Sequence, residues 1–541
     1  MLYLANSIGA ARMEHIHDLL IVGGGINGAG IARDAAGRGL SVLLCEQGDI
    51  AGATSSASSK MIHGGLRYLE HYEFRLVGEA LAEREVMLRI APHLARPLRI
   101  VMPHVPTLRP AWMIRLGLMF YDTLGRLRER TTLPASASID LRQSPFGTAL
   151  REDIVRGFAY SDVSDDDARL TLATVRSAAD LGADIHTRTR CVEAWCEGNL
   201  WRVILDRYGD RREVHARALV NAAGPWVAEV LNGPLAKARP ASAGGAGPRP
   251  GVQLIRGSHI VVPRLYEGAH GYLLQNDDKR VIFMLPFEEY FTETATTEIK
   301  ESAIGTPQAS AAEIDYLCRA VSRFWRRPLT PADVVWHYSG LRPLYDDGHR
   351  DPADITRDYT FLLDTGASDA APLLSIFGGK LTTHRRLAEA ALDKLAPWFP
   401  QMRTSWTATQ PLPGGEFGDF AALHDELCRR HPQLPADWLR RLARRHGSLT
   451  DTVLGAARTP ADLGRDFGGG LYEREVEYFV EHEWACAPDD ILWRRSKAGL
   501  HMNERQRTDF GAWFERWWVE RDLASAGATA LPASTSEGAR R

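Results

Sequence analysis

Residues Asp18 to Asp49 read DLLIVGGGINGAGIARDAAGRGLSVLLCEQGD, and Thr54 to Glu70 read TSSASSKMIHGGLRYLE. Leu19, Leu20, Ile21 and Val22 form an unbroken apolar run of the kind buried in a parallel sheet. Gly23, Gly25 and Gly28 follow at G-x-G-x-x-G spacing. The first permits a tight turn, the second lets a pyrophosphate approach the backbone, and the third lets the next helix pack on the sheet. That helix directs free N–H groups and the positive end of its dipole toward a phosphate. A second strand, Ser41 to Cys45, ends in Glu46, whose carboxylate suits ribose hydroxyls and disfavours a 2′-phosphate. Strand, turn, helix, strand and acid in register predict a dinucleotide site, with FAD and NAD both open and NADP disfavoured.

The rest of the chain sets this site in a larger frame. At 541 residues it exceeds one compact core, so two or three domains are expected. A composition of 45% hydrophobic and 25% charged residues is that of a soluble globular protein, and a net charge of −3 gives no reason to expect nucleic acid. The six cysteines (Cys45, Cys191, Cys196, Cys318, Cys428 and Cys486) include no C-x-x-C pair, so neither a metal site nor a disulfide framework is expected. No apolar run approaches the ~18 residues of a membrane-spanning helix. Residues 1–17 lack the apolar core of a cleaved signal. Met13 stands where such folds usually begin, and residues 1–12 are expected to be dispensable.

The pattern is α/β at first, strand-rich in the middle and helical at the end. Strands are predicted at Trp201–Asp206, Ala218–Gly224, Ser258–Pro263 and Val281–Phe287. The expected division places dinucleotide-binding parts at 14–90, 151–235 and 336–400, and a basic amphipathic cap at 91–150. A β-rich substrate domain follows at 252–335 and a helical domain at 401–523. The Pro/Gly-rich stretches 236–251 and 524–541 read as a flexible insertion and a disordered tail. Trp484, Trp493, Trp513, Trp517 and Trp518 recur in the helical part and are read as its core. Between residues 75 and 130, ten arginines face five carboxylates, and 109–128 interleaves apolar and basic residues at helical intervals. That pattern suits an anionic membrane interface and, equally, an ordinary amphipathic helix packed on its own domain.

Two later turns decide the cofactor. NAAGPW (Asn221 to Trp226) follows an apolar strand, so Ala223 and Gly224 allow a second close backbone approach to the dinucleotide. SIFGGKLTTHRRLAEAAL (Ser375 to Leu392) places Gly378 and Gly379 before an amphipathic helix whose positive end, with Lys380, suits a reduced flavin. Leu381 and Thr382 belong to that turn, where Thr382 or Thr383 also qualifies as a helix cap. An early dinucleotide turn paired with late small-residue turns selects FAD over NAD. Arg342 (in GLRPL) and Arg357 (in ITRDYT) suit an anionic substrate.

With TSSASSKMIHGGLRYLEHYEFRLV, RGSHIVVP, YSGLRPL, ITRDYT and FGGKLTT, these segments closely resemble the FAD-dependent, respiratory glycerol-3-phosphate dehydrogenases of bacteria over roughly residues 16 to 520. The resemblance implies a discontinuous Rossmann-like FAD domain, a β-rich substrate domain and an α-helical C-terminal domain. It implies hydride transfer from C2 of sn-glycerol 3-phosphate to flavin N5, giving dihydroxyacetone phosphate and passing electrons to membrane quinone. A peripheral place on the cytoplasmic face of the inner membrane, or in the cytoplasm, goes with it, and a homodimer is left open. Position by position it implies that Thr54, Ser55, Ser58 and Ser59 lie along the pyrophosphate and flavin, with His63 and Gly64 near the ring. Arg67 and Tyr68 face the substrate, Arg342 sits by the C2 hydroxyl, Lys380 and Arg357 bind phosphate, and His259 lines the pocket. A guanidinium titrates too high to be a good base, so Arg342 is expected to stabilise a developing alkoxide, leaving proton removal to His63, His259 or water. One departure stands out: Ala295-Thr296-Thr297-Glu298 replaces the family's Gly-Thr-Thr-Asp turn. The alternatives are a glycerol-3-phosphate oxidase that uses oxygen and, in another class, a non-catalytic FAD-binding scaffold.

Overall fold

The computed structural model describes residues 15–106, 109–236, 251–278, 280–295, 297–346, 358–366 and 370–528, with the backbone alone at 67, 70, 71 and 522–528. Residues 1–12, Arg357, Thr296, most of the 236–251 insertion and residues 529–541 lie outside that set, as does the Arg67 side chain.

The apolar run at the start becomes strand Ile16–Val22, which lies between Val42–Cys45 and Asp210–Asn221 in parallel register. Leu373–Phe377 adds a parallel neighbour to Asp210–Asn221, and Asp184–His186 one to Val42–Cys45. Thr360–Asp364 closes one edge antiparallel, and the hairpin Arg190–Glu197/Leu200–Arg207 completes an eight-stranded sheet among the described residues. Val22 pairs with Asn221, and Asn221 with Ser375. All three glycine turns therefore leave the sheet at its carboxyl edge, where open α/β sheets bind ligands. Leu19, Ile21, Ala29, Ile31, Val220, Ile376 and Leu387 form one buried core between this sheet and helices Ile26–Gly37, Asp167–Asp180 and His384–Leu395.

A second, ten-stranded sheet stands over that edge. Its longest strand, Gly251–Pro263, pairs throughout with Trp336–Asp346 and on its other side with Ile299–Glu301 and Phe291–Ala295. The register sets Arg342 opposite Ile255, Gly340 opposite Gly257 and Tyr338 opposite His259. Because strand side chains alternate with period two, these six share one face. Leu317, Val321 and Phe324 of the region around helix Ala311–Ser322 fill the core beneath the sheet.

The sheets divide the chain differently from the expected segments. Arg156–Ser164 pairs with Arg96–Pro103, and Trp336–Asp346 with Gly251–Pro263, so both belong to the second sheet and not to dinucleotide-binding parts starting at 151 and 336. Arg96–Pro103 likewise makes the 91–150 segment part of this sheet as well as a cap. Apolar periodicity marks these stretches as strands; long-range hydrogen bonding decides which sheet they join.

The helical domain packs Leu439, Leu442, Phe479, Phe510 and Phe514 into its own core. Trp493, Trp513, Trp517 and Trp518 lie against it, whereas Trp484 packs on the core of the first sheet. Its last helix runs from Glu504 to Ala528, past the expected start of the tail at 524.

Candidate active site

The dinucleotide turn is shaped by contacts that only glycine tolerates. A Cβ on Gly28 would lie 2.0 Å from the Gly23 carbonyl oxygen, and one on Gly23 (φ +117°) 2.5 Å from that of Ala222. Gly25 caps the helix without any side-chain hydrogen bond, so the helix end faces a cavity. Ser55 Oγ accepts from the Ile26 N–H at 2.9 Å. Glu46 reaches back at the end of the second strand, accepting from the Gly24 and Gly48 N–H groups at 2.7 Å each. Burial pushes its carboxyl above the usual range and those two bonds pull it down. Each oxygen retains acceptor capacity for a hydroxyl donor.

The cavity measures about 1540 Å³ and runs from Gly23, Gly25 and Glu46 to His259, Arg342 and Lys380. A single small-molecule site occupies roughly 300–1,000 Å³, so there is room for a dinucleotide and a second ligand. Ala223, Gly224, Gly379, Leu381 and Thr382 line it from the late turns. Gly224 (φ +55°) has open space where a Cβ would stand. Helix His384–Leu395 starts without a side-chain cap, so neither Thr382 nor Thr383 serves that purpose. Open backbone, two helix ends whose N-cap residues give no side-chain hydrogen bond, and an acid at the second strand fit FAD, which these residues would hold.

Most of the sequence-predicted residues meet here. Thr54, Ser55, Ser58, Ser59, His63, Tyr68, His259, Arg342 and Lys380 all line the cavity. Thr54 donates to the Leu341 carbonyl at 2.6 Å, Ser58 Oγ accepts from the Lys60 N–H at 3.1 Å, and Ser59 Oγ lies 3.3 Å from His259 Nε2. Gly28 and Gly64 shape the site from behind. Gly64 donates its N–H to the Tyr121 hydroxyl at 2.8 Å, and Gly65 takes its place on the wall.

The second-ligand end is cationic. Lys380 Nζ sits 4.0 Å from the centre of the Tyr68 ring, and Arg342 Nη1 is 3.7 Å from Glu298 Oε1. Glu298 belongs to the departing turn, so that departure reaches the pocket. Burial, then Lys380 and Arg342, hold His63 down at about 4. Burial, then Lys60 and Arg342, hold His259 well below the usual imidazole range. Both rings are neutral at pH 7 and can accept a proton.

Other groups on the wall were not legible from motifs. Arg188 and Arg494 line the dinucleotide end beside Asp49. Asp49 accepts from Arg494 and Arg495, the latter at 2.8 Å through Nη2, and Arg188 binds Asp490 at 2.6 Å. Asp49 is 4% and Arg495 0% exposed, so the helical domain is joined to the dinucleotide turn by buried charge. An acid directly after a Rossmann-type second strand, with paired arginines in a distant domain, was the available signal.

A family model of FAD-dependent oxidoreductases matches residues 18–385, and one of the C-terminal domain of alpha-glycerophosphate oxidase matches 405–508. A glycerol-3-phosphate dehydrogenase of Pseudomonas aeruginosa is 50% identical over 94% of this chain and 96% of its own. The chain belongs to the FAD-dependent glycerol-3-phosphate dehydrogenase family. Within that family, the aerobic enzyme of Escherichia coli is 47% identical over 94% of this chain and 99% of its own. The D-erythritol 1-phosphate dehydrogenase of Brucella abortus is 46% identical over 92% and 97%. The FAD complex of the Bacillus halodurans glycerol-3-phosphate dehydrogenase superposes with a TM-score of 0.72 at 26% identity, covering 94% of this chain and 91% of that one. FAD is the cofactor of this family member, and the expected α/β fold with a helical C-terminal domain is present.

Proposed function

We propose that the protein oxidises sn-glycerol 3-phosphate to dihydroxyacetone phosphate and hands the electrons to a quinone at a membrane surface. The observation that carries the substrate is the meeting of Arg342, Lys380, His63 and His259 at one end of the FAD cavity. Lys380 holds the phosphate; Arg357, outside the described residues, stays an expectation for the same task, and the Arg67 side chain stays one as a substrate-facing group. Arg342 stabilises the charge that develops on the C2 oxygen. His63 or His259, both neutral, takes the hydroxyl proton. Bound FAD supplies the acceptor for the hydride leaving C2. The anaerobic addition of glycerol 3-phosphate to the holoprotein is expected to bleach its flavin absorbance. An unbleached spectrum would return the protein to the scaffold reading.

Helix Ala111–Arg128 supports the membrane and quinone part. Trp112, Met113, Leu116, Met119, Phe120 and Leu127 are 44–76% exposed on it, at spacings that gather them on one face. Tyr72 and Phe74 are exposed as well, and Tyr72, Met113, Leu116 and Phe120 line the mouth of the cavity. So large an apolar surface beside arginines suits an interfacial helix. Among the described residues no helix is long and apolar enough to cross a membrane. Replacing Trp112 and Met119 together with serine removes two large side chains worth ~1.5–3 kcal/mol each on burial. Binding to anionic vesicles is expected to fall at least tenfold with flavin reduction by substrate unchanged. Unchanged vesicle binding would leave the oxygen-using oxidase as the better reading.

A further inference from the structure

Behind His259 lies a buried charged cluster that the oxidation as described does not use. The Tyr338 ring stacks on His259 with centroids 4.5 Å apart and planes at 5°. The Lys60 ammonium lies 4.6 Å from the same ring's centroid. The Tyr338 hydroxyl donates to Glu293 Oε1 at 2.6 Å, and its oxygen is 3.1 Å from the Ser58 carbonyl. Glu293 sits in strand Phe291–Ala295 with no exposure, and its Oε2 has no hydrogen-bond partner. Lys60 is 4% exposed and donates to Asp167 at 2.8 Å. A carboxylate in a half-apolar strand is costly to keep, and this one is coupled to a single aromatic ring that touches a cavity-lining histidine.

We propose that Glu293 is a positioning residue that acts through Tyr338 to favour protonation of His259 during substrate oxidation. This rests on the substrate reading above and on His259 being the proton acceptor. A carboxylate that draws on the phenolic proton makes the ring richer in electrons, and an electron-rich ring face stabilises a cation stacked on it. When His259 accepts the C2 hydroxyl proton it becomes such a cation. The O–H bond breaks, the N–H bond forms, and the hydride departs separately to FAD. Lys60 on the ring opposes that charge, and Glu293 offsets Lys60.

The groups facing Glu293 are Lys60 from the serine loop, Asp165 just before helix Asp167–Asp180 and Asp167 at its start, Lys497 from the helical domain, and Tyr338. Those facing His259 are Lys60, Arg342 and Ser59. Burial lifts the Glu293 carboxyl to about 7, with Lys60 and the Tyr338 bond pulling the other way. Glu293 therefore gains its charge as pH rises through that value, and the rate of flavin reduction is expected to rise with it.

The test is anaerobic stopped-flow reduction of the holoenzyme by glycerol 3-phosphate between pH 5.5 and 9, a window that brackets the ionisation of Glu293 by about two units on either side. The wild type is expected to show a rising limb near neutrality. Glu293→Gln removes that limb and lowers the rate above it about tenfold, the size of a buried cation–π contact. Tyr338→Phe keeps the stack, loses the bond to Glu293 and is expected to match Glu293→Gln, with no further loss in the double variant. An unreduced wild type overturns the substrate reading. A reduced wild type whose rising limb survives Glu293→Gln overturns this proposal.

Discussion

Arg342→Ala is expected to slow flavin reduction by glycerol 3-phosphate about 10²–10³-fold, the usual cost of removing one preorganised group that stabilises developing negative charge. The strand register holds Arg342 opposite Ile255 on the cavity face of the second sheet, so its guanidinium is carried by rigid backbone. The substitution also removes the guanidinium that lies 3.7 Å from Glu298. FAD content is expected to stay intact, because the residues proposed to hold the ADP half belong to the other sheet. Stopped-flow absorbance with a cofactor assay checks both. A loss under tenfold would take Arg342 away from the C2 oxygen.

The second large effect lies far from the chemistry. Asp49→Ala takes a carboxylate from Arg495, fully buried, and from part-buried Arg494, which keeps Asp490, with Arg188 also within 3.7 Å of the lost group. Breaking a buried pair from one side costs about 3–5 kcal/mol, and here one fully buried and one part-buried cation lose the same anion. The variant is expected to purify with little FAD and to melt at lower temperature than the parent. Adding excess FAD should recover part of the difference, since a ligand that binds only the folded state stabilises it by mass action. Thermal melts with and without FAD decide it: equal melting temperatures in variant and parent would show the cluster to be dispensable.

The cofactor half was the more legible half of the molecule. Gly23 and Gly28 are demanded by carbonyl oxygens within a few residues of chain or on the adjoining strand, so their spacing alone carries the message. Val281–Phe287 was bounded correctly because both of its ends coincide with breaks in apolar patterning. Glu293 was not seen, since an acid in FTETA reads as a solvent-facing strand position until the helical domain and the start of Asp167–Asp180 are placed over it. Arg494 was missed for a similar reason: its partner Asp49 lies 445 residues away. Arg156–Ser164 was recognisable as apolar chain but went to the wrong sheet, because pairing partners leave no local trace.

The three parallel strands that carry the glycine turns begin at residues 16, 210 and 373. During synthesis the first can pair early with Val42–Cys45, but its other edge waits for Asp210–Asn221, and that strand in turn waits for Leu373–Phe377. Loop closure over such distances is slow and must precede the contacts that reward it. The nascent chain therefore spends much of its production time with an open parallel edge, a state prone to association with other chains. Cofactor capture is a late event in the life of this polypeptide, and yield in a cell should depend more on chaperone supply and growth temperature than on the stability of the finished fold.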